Sequence, residues 1–294
     1  MEYLQSTTDG VVSYVMGRGL IPQLIITIVF FLALHIVLSL VEKIVQSIGD
    51  MNKQITILQK DTVNSTFSIP QNPLWSKQIF NSNNELNGME YSYSMYIFLS
   101  PETFDATNAV TGGCANADAT TTTTLKHIFH KGSKTVFPLM APGVFVEGEK
   151  NTLRIYMNSS TNWNNYVSVP NIPVGKWFHL VIMMKGKFMD VYINGNVAAR
   201  KQFATVPKLN VGTAYIMSGQ RFPNRNNSGL QTDFIVGGPM KGMVSRVNYY
   251  AYALNYAQID DLYRQGPSPV IVNPATTTAN VPPYMRDDWW VTKY

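Results

Sequence analysis

Length, composition and charge already limit what this protein can be. The chain has 294 residues, enough for one or two domains, and only 14% of them are charged. Its net charge of +5 at pH 7 includes no run of basic residues, so we expect no nucleic-acid partner. Cys114 is the single cysteine, which excludes an intrachain disulfide and favours a reducing compartment.

An apolar segment follows the N-terminal segment, residues 1–18. From Gly19 to Val41 the sequence contains no Asp, Glu, Lys or Arg, and most side chains are Leu, Ile, Val or Phe. About 20 apolar residues suffice to cross a hydrocarbon core of about 30 Å. Because no small-x-small cleavage site follows, we predict an uncleaved, single-pass transmembrane helix over residues 19–41, with a lipid bilayer as partner.

The helical pattern continues beyond the predicted span as a stalk over residues 42–61. Apolar residues with heptad spacing run along it: Ile44, Ile48, Met51, Ile55 and Leu58. Such a stripe predicts either self-association or packing against a neighbouring protein. Three lysines follow the span, whereas Arg18 alone stands directly before it, which places the C-terminal domain on the cytoplasmic side.

After residue 61 the pattern changes from helical to alternating. Predicted strands cover Glu90–Leu99, Lys126–His130, Gly143–Glu147, Thr152–Met157, Trp177–Met184, Lys187–Ile193 and Val197–Phe203. Between the last two, Asn194 and Gly195 favour the type I′ turn of a hairpin. Many short strands and few helices predict an all-β fold, a two-sheet antiparallel sandwich.

These stretches, taken in order, resemble the jelly rolls of laminin-G-like and concanavalin A-like proteins. The similar segments are Leu125–Gly132, Pro142–Val144, Asn151–Ile155, Gly175–Leu180, Val191–Gly195, Gly242–Tyr250 and Ile259–Tyr263. The resemblance runs from Phe67 to Gly266 and implies one jelly-roll domain over residues 62–266. It does not fix a function, because this fold hosts lectins, glycosidases, adhesion modules and structural proteins.

The end of the domain resembles a narrower group of proteins. The pattern Tyr-Tyr-x-Tyr-Ala-Leu from Tyr249, then Ile-x-x-Leu-Tyr from Ile259 and Gly-Pro at Gly266, behind a single anchor, is similar to virion proteins of large DNA viruses of algae and amoebae. The resemblance implies a minor capsid protein that links the virion's inner membrane to its protein shell. Its domain would face the shell, with neighbouring capsid or membrane proteins as partners.

Catalytic carboxylates are not evident in the sequence. Glycosidases of this fold flank the scissile bond with a Glu-x-Asp-x-x-Glu motif, which does not occur here. The nearest pair, Glu147 and Glu149, brackets Gly148 at a predicted turn. We therefore predict a non-enzymatic protein without catalytic residues.

Metal sites have few candidates. His127 and His130 are three apart on a predicted strand and so should point to opposite faces, which excludes a zinc set with Cys114. Laminin-G-like domains often bind calcium at a loop rim, and the resemblance implies Asp105, Asn108 and Asp118 as weak candidate ligands here. Calcium is left open, and no other cofactor is expected.

A sugar site has one candidate loop. Asn162, Trp163, Asn164 and Tyr166 combine aromatic rings with amides, as carbohydrate-binding loops do, so a membrane-tethered lectin is the alternative function. The competing interpretation is that Trp163 packs over a sandwich edge while the Asn residues make turns.

The C-terminal tail, residues 267–294, is Pro-rich and predicted to be extended. It carries two adjacent tryptophans, Trp289 and Trp290. A tail this short cannot bury them within itself, so we expect them to fold back onto the domain or to dock into a neighbouring protein, with the neighbour favoured.

Overall fold

The computed structural model describes two compact units, divided between Asn52 and Lys53. The described residues are 19–58, 61–72, 78–79, 82, 84–85, 88–104, 124–136, 138–163, 165–222 and 235–272. Each unit is considered by itself.

The first unit contains a long helix, α1 (Leu20–Lys53). Its segment Gln23–Val45 is long and apolar enough to cross a membrane, and none of that segment is buried within the protein. Large side chains such as Phe31 are 61% exposed. The prediction of an N-terminal apolar helix is confirmed, with the apolar stretch ending four residues later than Val41.

The predicted stalk over residues 42–61 is wrong in its second half. α1 ends at Lys53, and a strand, β1 (Gln54–Thr56), begins at the next residue. Ile55 and Leu58 do not continue a helical stripe: they lie in the sandwich core, 8% and 4% exposed. Burying these two large apolar side chains in the core stabilises the protein more than one further turn of an exposed helix would. Of the other stripe residues, Ile44 is exposed, while Ile48 and Met51 are described only as helical.

The second unit is built mainly from short strands. After β1 they are β2 (Asp61–Val63), β3 (Phe67–Ile69), β4 (Asn84–Glu85), β5 (Gly88–Leu99), β6 (Thr124–Gly132), β7 (Met140–Glu147), β8 (Leu153–Met157), β9 (Asn165–Val169), β10 (Trp177–Lys185), β11 (Phe188–Ile193), β12 (Asn196–Gln202), β13 (Thr213–Ile216), β14 (Arg221–Phe222), β15 (Ile235–Pro239), β16 (Gly242–Tyr250) and β17 (Val270–Val272). A 3-10 turn covers Pro101–Phe104, and the helix α2 (Tyr256–Gln265) follows β16.

The strands form two sheets, so the predicted two-sheet sandwich is confirmed. Sheet A has the order β12-β11-β10-β5-β16-β2-β17, with β1 beside β16 and β4 beside β5. Sheet B has the order β14-β15-β6-β7-β8-β9, with β13 between β6 and β3. Pairing is antiparallel except where β17 meets β2 and β15 meets β6.

The sandwich extends past both predicted boundaries, 62 and 266. β1 precedes the first boundary, and β17 lies within the segment predicted to be an extended tail. Val270 to Val272 are β-branched and pair with Asp61 to Val63, which gives their backbone groups partners that an extended tail would lack.

Alternation along β5 explains the core between the sheets. Tyr91, Tyr93, Met95, Ile97 and Leu99 are buried and belong to one cluster with residues from both sheets. The ring centroids of Tyr93 and Phe129 of β6 are 5.5 Å apart, so aromatic packing joins sheet A to sheet B. A period of two in the sequence therefore places every second side chain in the core.

The predicted hairpin is present between β11 and β12. Asn194 and Gly195 have φ angles of 50° and 80°, as a type I′ turn requires, and Ile193 pairs with Asn196 across the turn.

α2 covers the outer face of sheet A. Ile259 and Leu262 pack against Val181, Tyr250 and Leu254. The position of α2 therefore depends on residues from β10, β16 and the loop after β16.

Candidate binding surface

The outer face of sheet B is covered by loops and carries the loop proposed for sugar binding. A second cluster of buried side chains lies there, called the outer cluster below: Leu125, Val136, Met140, Phe145, Tyr156 and Val236. Trp163, Tyr166 and Phe222 are partly buried against it. This face is therefore apolar beneath its loops.

Trp163 packs onto the outer cluster, in the arrangement that the sequence offered as the alternative to sugar binding. Its carbonyl accepts a hydrogen bond from Asn158 Nδ2 at 3.0 Å, and the Asn162 carbonyl accepts one from the Ser159 amide at 2.8 Å. Asn165 Nδ2 donates to Ser159 Oγ at 2.9 Å. The Asn side chains thus hold the turn, and Asn162 remains exposed. Asn164 lies outside the described residues.

Tyr166 is half-buried between two cations. The Arg154 guanidinium lies 5.0 Å from its ring centroid, and Lys201 Nζ lies 5.8 Å from it. Lys201 Nζ also donates to the Tyr166 carbonyl at 2.6 Å, while Arg154 Nε pairs with Glu147 Oε1 at 2.6 Å. The Tyr166 ring therefore already makes cation–π contacts within the protein.

Two histidines that were predicted to point to opposite faces of a strand are in contact. His127 Nε2 lies 2.6 Å from His130 Nδ1, and both side chains are buried. The expectation of opposite faces is wrong because the register of β6 against β7 shifts between His127 and Phe129. A β-bulge inserts one extra residue and so turns the following side chains to the other face. Sequence alternation carries no signal of that bulge.

The hydrogen bonds of the pair fix its protonation state. The Ser218 amide donates to His127 Nδ1 at 2.9 Å, so the His127 proton is on Nε2 and is donated to His130 Nδ1. His130 Nε2 then donates to the Ser133 carbonyl at 2.9 Å. Burial lowers the pKa of His130 to about 4, and burial, with the neighbouring His130, lowers the pKa of His127 well below its usual range. Both rings are neutral and have no lone pair left for a metal.

Metal binding finds no further support among the residues that the structure describes, where no group of three or more His, Cys, Asp or Glu side chains could hold an ion. The calcium candidates Asp105, Asn108 and Asp118 lie outside those residues, as do Trp289 and Trp290. Their assignments stay predictions.

A serine–histidine pair lies under α2 on the outer face of sheet A. Ser94 Oγ is 2.8 Å from His179 Nε2, and the Tyr96 and Tyr263 rings lie 4.8 and 6.2 Å from the imidazole. Burial lowers the pKa of His179 to about 4. A nucleophilic serine needs access to substrate and a group that orients its histidine. Here both side chains are covered, and no described group bonds to His179 Nδ1, so the pair is structural.

A protein-family comparison matches more than half of the chain. The model of the concanavalin A-like lectin/glucanases superfamily matches residues 92–260. The match begins in β5 and ends in α2, so it includes strands of both sheets. No curated protein sequence matches the chain.

Comparison with solved structures finds botulinum neurotoxin domains at low similarity. The serotype D ligand-binding domain, determined with N-acetylneuraminic acid, has 12% identity and a TM-score of 0.43, over 71% of this chain and 44% of that one. The type G receptor-binding domain has 12% identity and a TM-score of 0.41, over 72% and 46%. This chain thus spans less than half of either structure, and a likeness this distant transfers no ligand.

Proposed function

The chain belongs to the concanavalin A-like lectin/glucanases superfamily, and we propose that it is a non-enzymatic, membrane-anchored structural protein. The observation that carries the proposal is the bare apolar surface of α1. A soluble protein rarely exposes a continuous apolar surface of this length, because water would drive it to associate. Lipid provides the apolar surroundings that the protein itself does not.

The energetics of insertion support an anchor. Each Leu, Ile, Phe or Val at the centre of a spanning helix favours insertion by about 0.3–0.6 kcal/mol. From Leu24 to Val41, 14 of 18 residues are Leu, Ile, Val or Phe, enough to outweigh Thr27, His35 and Ser39. The charged residues of the segment, Glu42 and Lys43, lie near its C-terminal end, where a charge opposes insertion least. Its helical backbone also satisfies its own hydrogen bonds, as the hydrocarbon core requires.

The ion pair of Glu147 supports a non-enzymatic role. This carboxylate, the first of the nearest pair in the sequence, is 9% exposed and bound to Arg154. A glycosidase needs two carboxyl groups open to one glycosidic bond. Glu149 lies in the turn between β7 and β8, so the pair does not share a strand face.

The finer proposal is that the protein is a minor capsid protein, with the anchor in a virion's inner membrane and the sandwich on the shell-facing, cytoplasmic side. Its support is the resemblance of the segment Tyr249–Pro267 to virion proteins of large DNA viruses. In the structure this segment forms one packing unit, in which Tyr250, Leu254, Ile259 and Leu262 contact each other. Trp289 and Trp290 would then dock into a neighbouring shell protein.

Alkaline carbonate extraction tests the anchor. We expect the full-length protein to stay in the membrane pellet at high pH, as integral proteins do. Release into the supernatant would overturn the anchor and with it the structural role proposed here.

Particle extraction tests the capsid role. The protein should be present in purified virions, and mild detergent that removes it should separate the inner membrane from the shell. If the protein leaves while shell and membrane stay joined, or if purified particles lack it, the capsid role is wrong.

A membrane-tethered lectin is the second candidate, favoured by the superfamily and by the exposed side chain of Asn162 beside Trp163. A glycan array with the intact protein tests it, with and without calcium. Asn162→Ala is the sharper variant, because Trp163→Ala also removes packing on the outer cluster. A lectin site predicts loss of binding in both variants, and an array without any signal removes this candidate.

A further inference from the structure

Three polar side chains lie on one face of the apolar stretch of α1. His35, Ser39 and Glu42 are spaced by four and three residues, and the backbone is helical throughout. At about 100° per residue these positions fall within a sector of roughly 60°. They form the polar face of α1.

The side chains of the polar face differ in their hydrogen bonding from Thr27, the other hydroxyl-bearing residue of the apolar stretch. Thr27 Oγ1 donates to the Gln23 carbonyl at 2.8 Å, so this hydroxyl is satisfied within the helix. Nothing in the described part of the chain hydrogen-bonds to the side chains of His35 or Ser39; His35 is exposed and Ser39 is partly exposed. In hydrocarbon an unbonded polar group is unfavourable, so such residues usually face another helix.

We propose that the polar face of α1 binds the same face of a second copy of this chain, as a parallel helix pair within the bilayer. This inference depends on the anchor proposed above. All copies of one chain insert with the same direction, so in a symmetric pair each residue lies at the depth of its own counterpart. A helix of another protein would need matching polar groups at those depths.

The chemistry of the polar face fits such self-pairing. A neutral imidazole carries one donor and one acceptor, and a hydroxyl carries both, so His35 can bond to His35 and Ser39 to Ser39. Ile28 stands one heptad before His35 and packs in the same seam. Glu42 lies three residues from the end of the apolar stretch, where water between the headgroups can hydrate its carboxylate.

Cysteine cross-linking in liposomes tests the proposal with the full-length protein. In a Cys114→Ser background, Ile28→Cys puts a thiol in the seam, and Ile26→Cys puts one on the opposite side of the helix, about 180° from His35. Both changes replace isoleucine at nearly the same depth. On oxidation, Ile28→Cys should yield disulfide-linked dimers and Ile26→Cys should not. Adding His35→Leu to Ile28→Cys should lower the dimer yield about threefold to tenfold, since one interhelical hydrogen bond is lost.

The outcomes separate this inference from the anchor. A protein that resists carbonate but cross-links equally at both positions, or at neither, overturns self-pairing and leaves the anchor intact. An unchanged yield with His35→Leu overturns the role of the polar face. Extraction by carbonate overturns both. If native membranes give a cross-link to a different protein in place of the dimer, the second-copy assignment is wrong.

Discussion

α1 and α2 differ in where their apolar side chains lie. α2 buries Ile259 and Leu262 against sheet A and leaves Tyr256 70% exposed at its start. α1 exposes large apolar residues along its apolar stretch, and none of the residues that the structure describes buries that stretch. An amphipathic helix finds its apolar partner inside the protein, whereas a helix that is apolar on most sides needs lipid or another helix.

The ends of the two helices also differ in the partners of their terminal backbone groups. At the start of α2, Asn255 and Gln258 form a capping box, and at its end the Tyr96 hydroxyl lies 2.7 Å and 2.6 Å from the carbonyl oxygens of Leu262 and Tyr263. α1 has no acidic residue in its first turn. A helix of ten residues is marginal in water and depends on such caps, whereas a long helix in lipid is held by the lack of competing water.

Removing α1 should have the largest effect. A chain that begins at Lys53 should leave liposomes for the aqueous phase, because about 5 kcal/mol or more of insertion free energy is lost. Its sandwich should unfold at the same temperature as in the full-length protein. Flotation and circular dichroism measure the two properties. Flotation of the shortened chain would show that the sandwich itself binds membranes.

Acid should have the second-largest effect, because it should unfold α2 but leave α1 helical. His127, His130 and His179 have pKa values lowered by burial, the latter two to about 4. A lowered folded-state pKa gives stability that is complete above about pH 6.5 and is lost as pH falls towards 4, on the order of 3 kcal/mol for His130. Sandwich and α2 should therefore unfold in acid while α1 stays helical in the bilayer, as seen by circular dichroism.

A variant without one of these histidines provides the control. His179→Gln should be less stable at neutral pH but should lose less stability between pH 6.5 and 4. An unchanged pH dependence would show that His179 is not buried as a neutral ring.

Truncating the buried face of α2 should have a smaller effect. Ile259→Ala should lower the free energy of unfolding by about 2–5 kcal/mol, because it leaves a cavity over sheet A. The matched change on the exposed face, Tyr256→Ala, should alter it by less than about 0.5 kcal/mol. Urea unfolding followed by tryptophan fluorescence compares them. Equal losses would mean that α2 does not dock through this face.

Removing the cap of α2 should have the smallest effect. Asn255→Ala should cost about 1 kcal/mol, since the Gln258 amide loses its acceptor, and Asn255→Ser should restore most of it. Thermal unfolding measures the difference. If Ala and Ser behave alike, the capping hydrogen bond does not stabilise the helix.

Part of this architecture could be predicted from local patterns. The apolar stretch of α1, the alternation of β5 and the Asn194–Gly195 turn are each determined within a few residues, and all three are present. For the candidate binding loop, the sequence showed which residue types are present but not how they pack. Its sequence did not decide between a sugar-stacking Trp163 and one packed on the outer cluster, because that depends on Phe145 and Tyr156, which come from other strands.

The sequence by itself determined that this chain joins an apolar helix to a β-sandwich, because both signals are periodicities of neighbouring residues. Only the tertiary structure decided where helix gives way to strand at Gln54, and that His127 and His130 meet. Heptad spacing at Ile55 and Leu58 favours a helix, but burial in the sandwich core overrides it, and a bulge arises from pairing with a partner strand. Such choices depend on which distant residues offer the better burial and hydrogen bonds, and no local pattern contains that information.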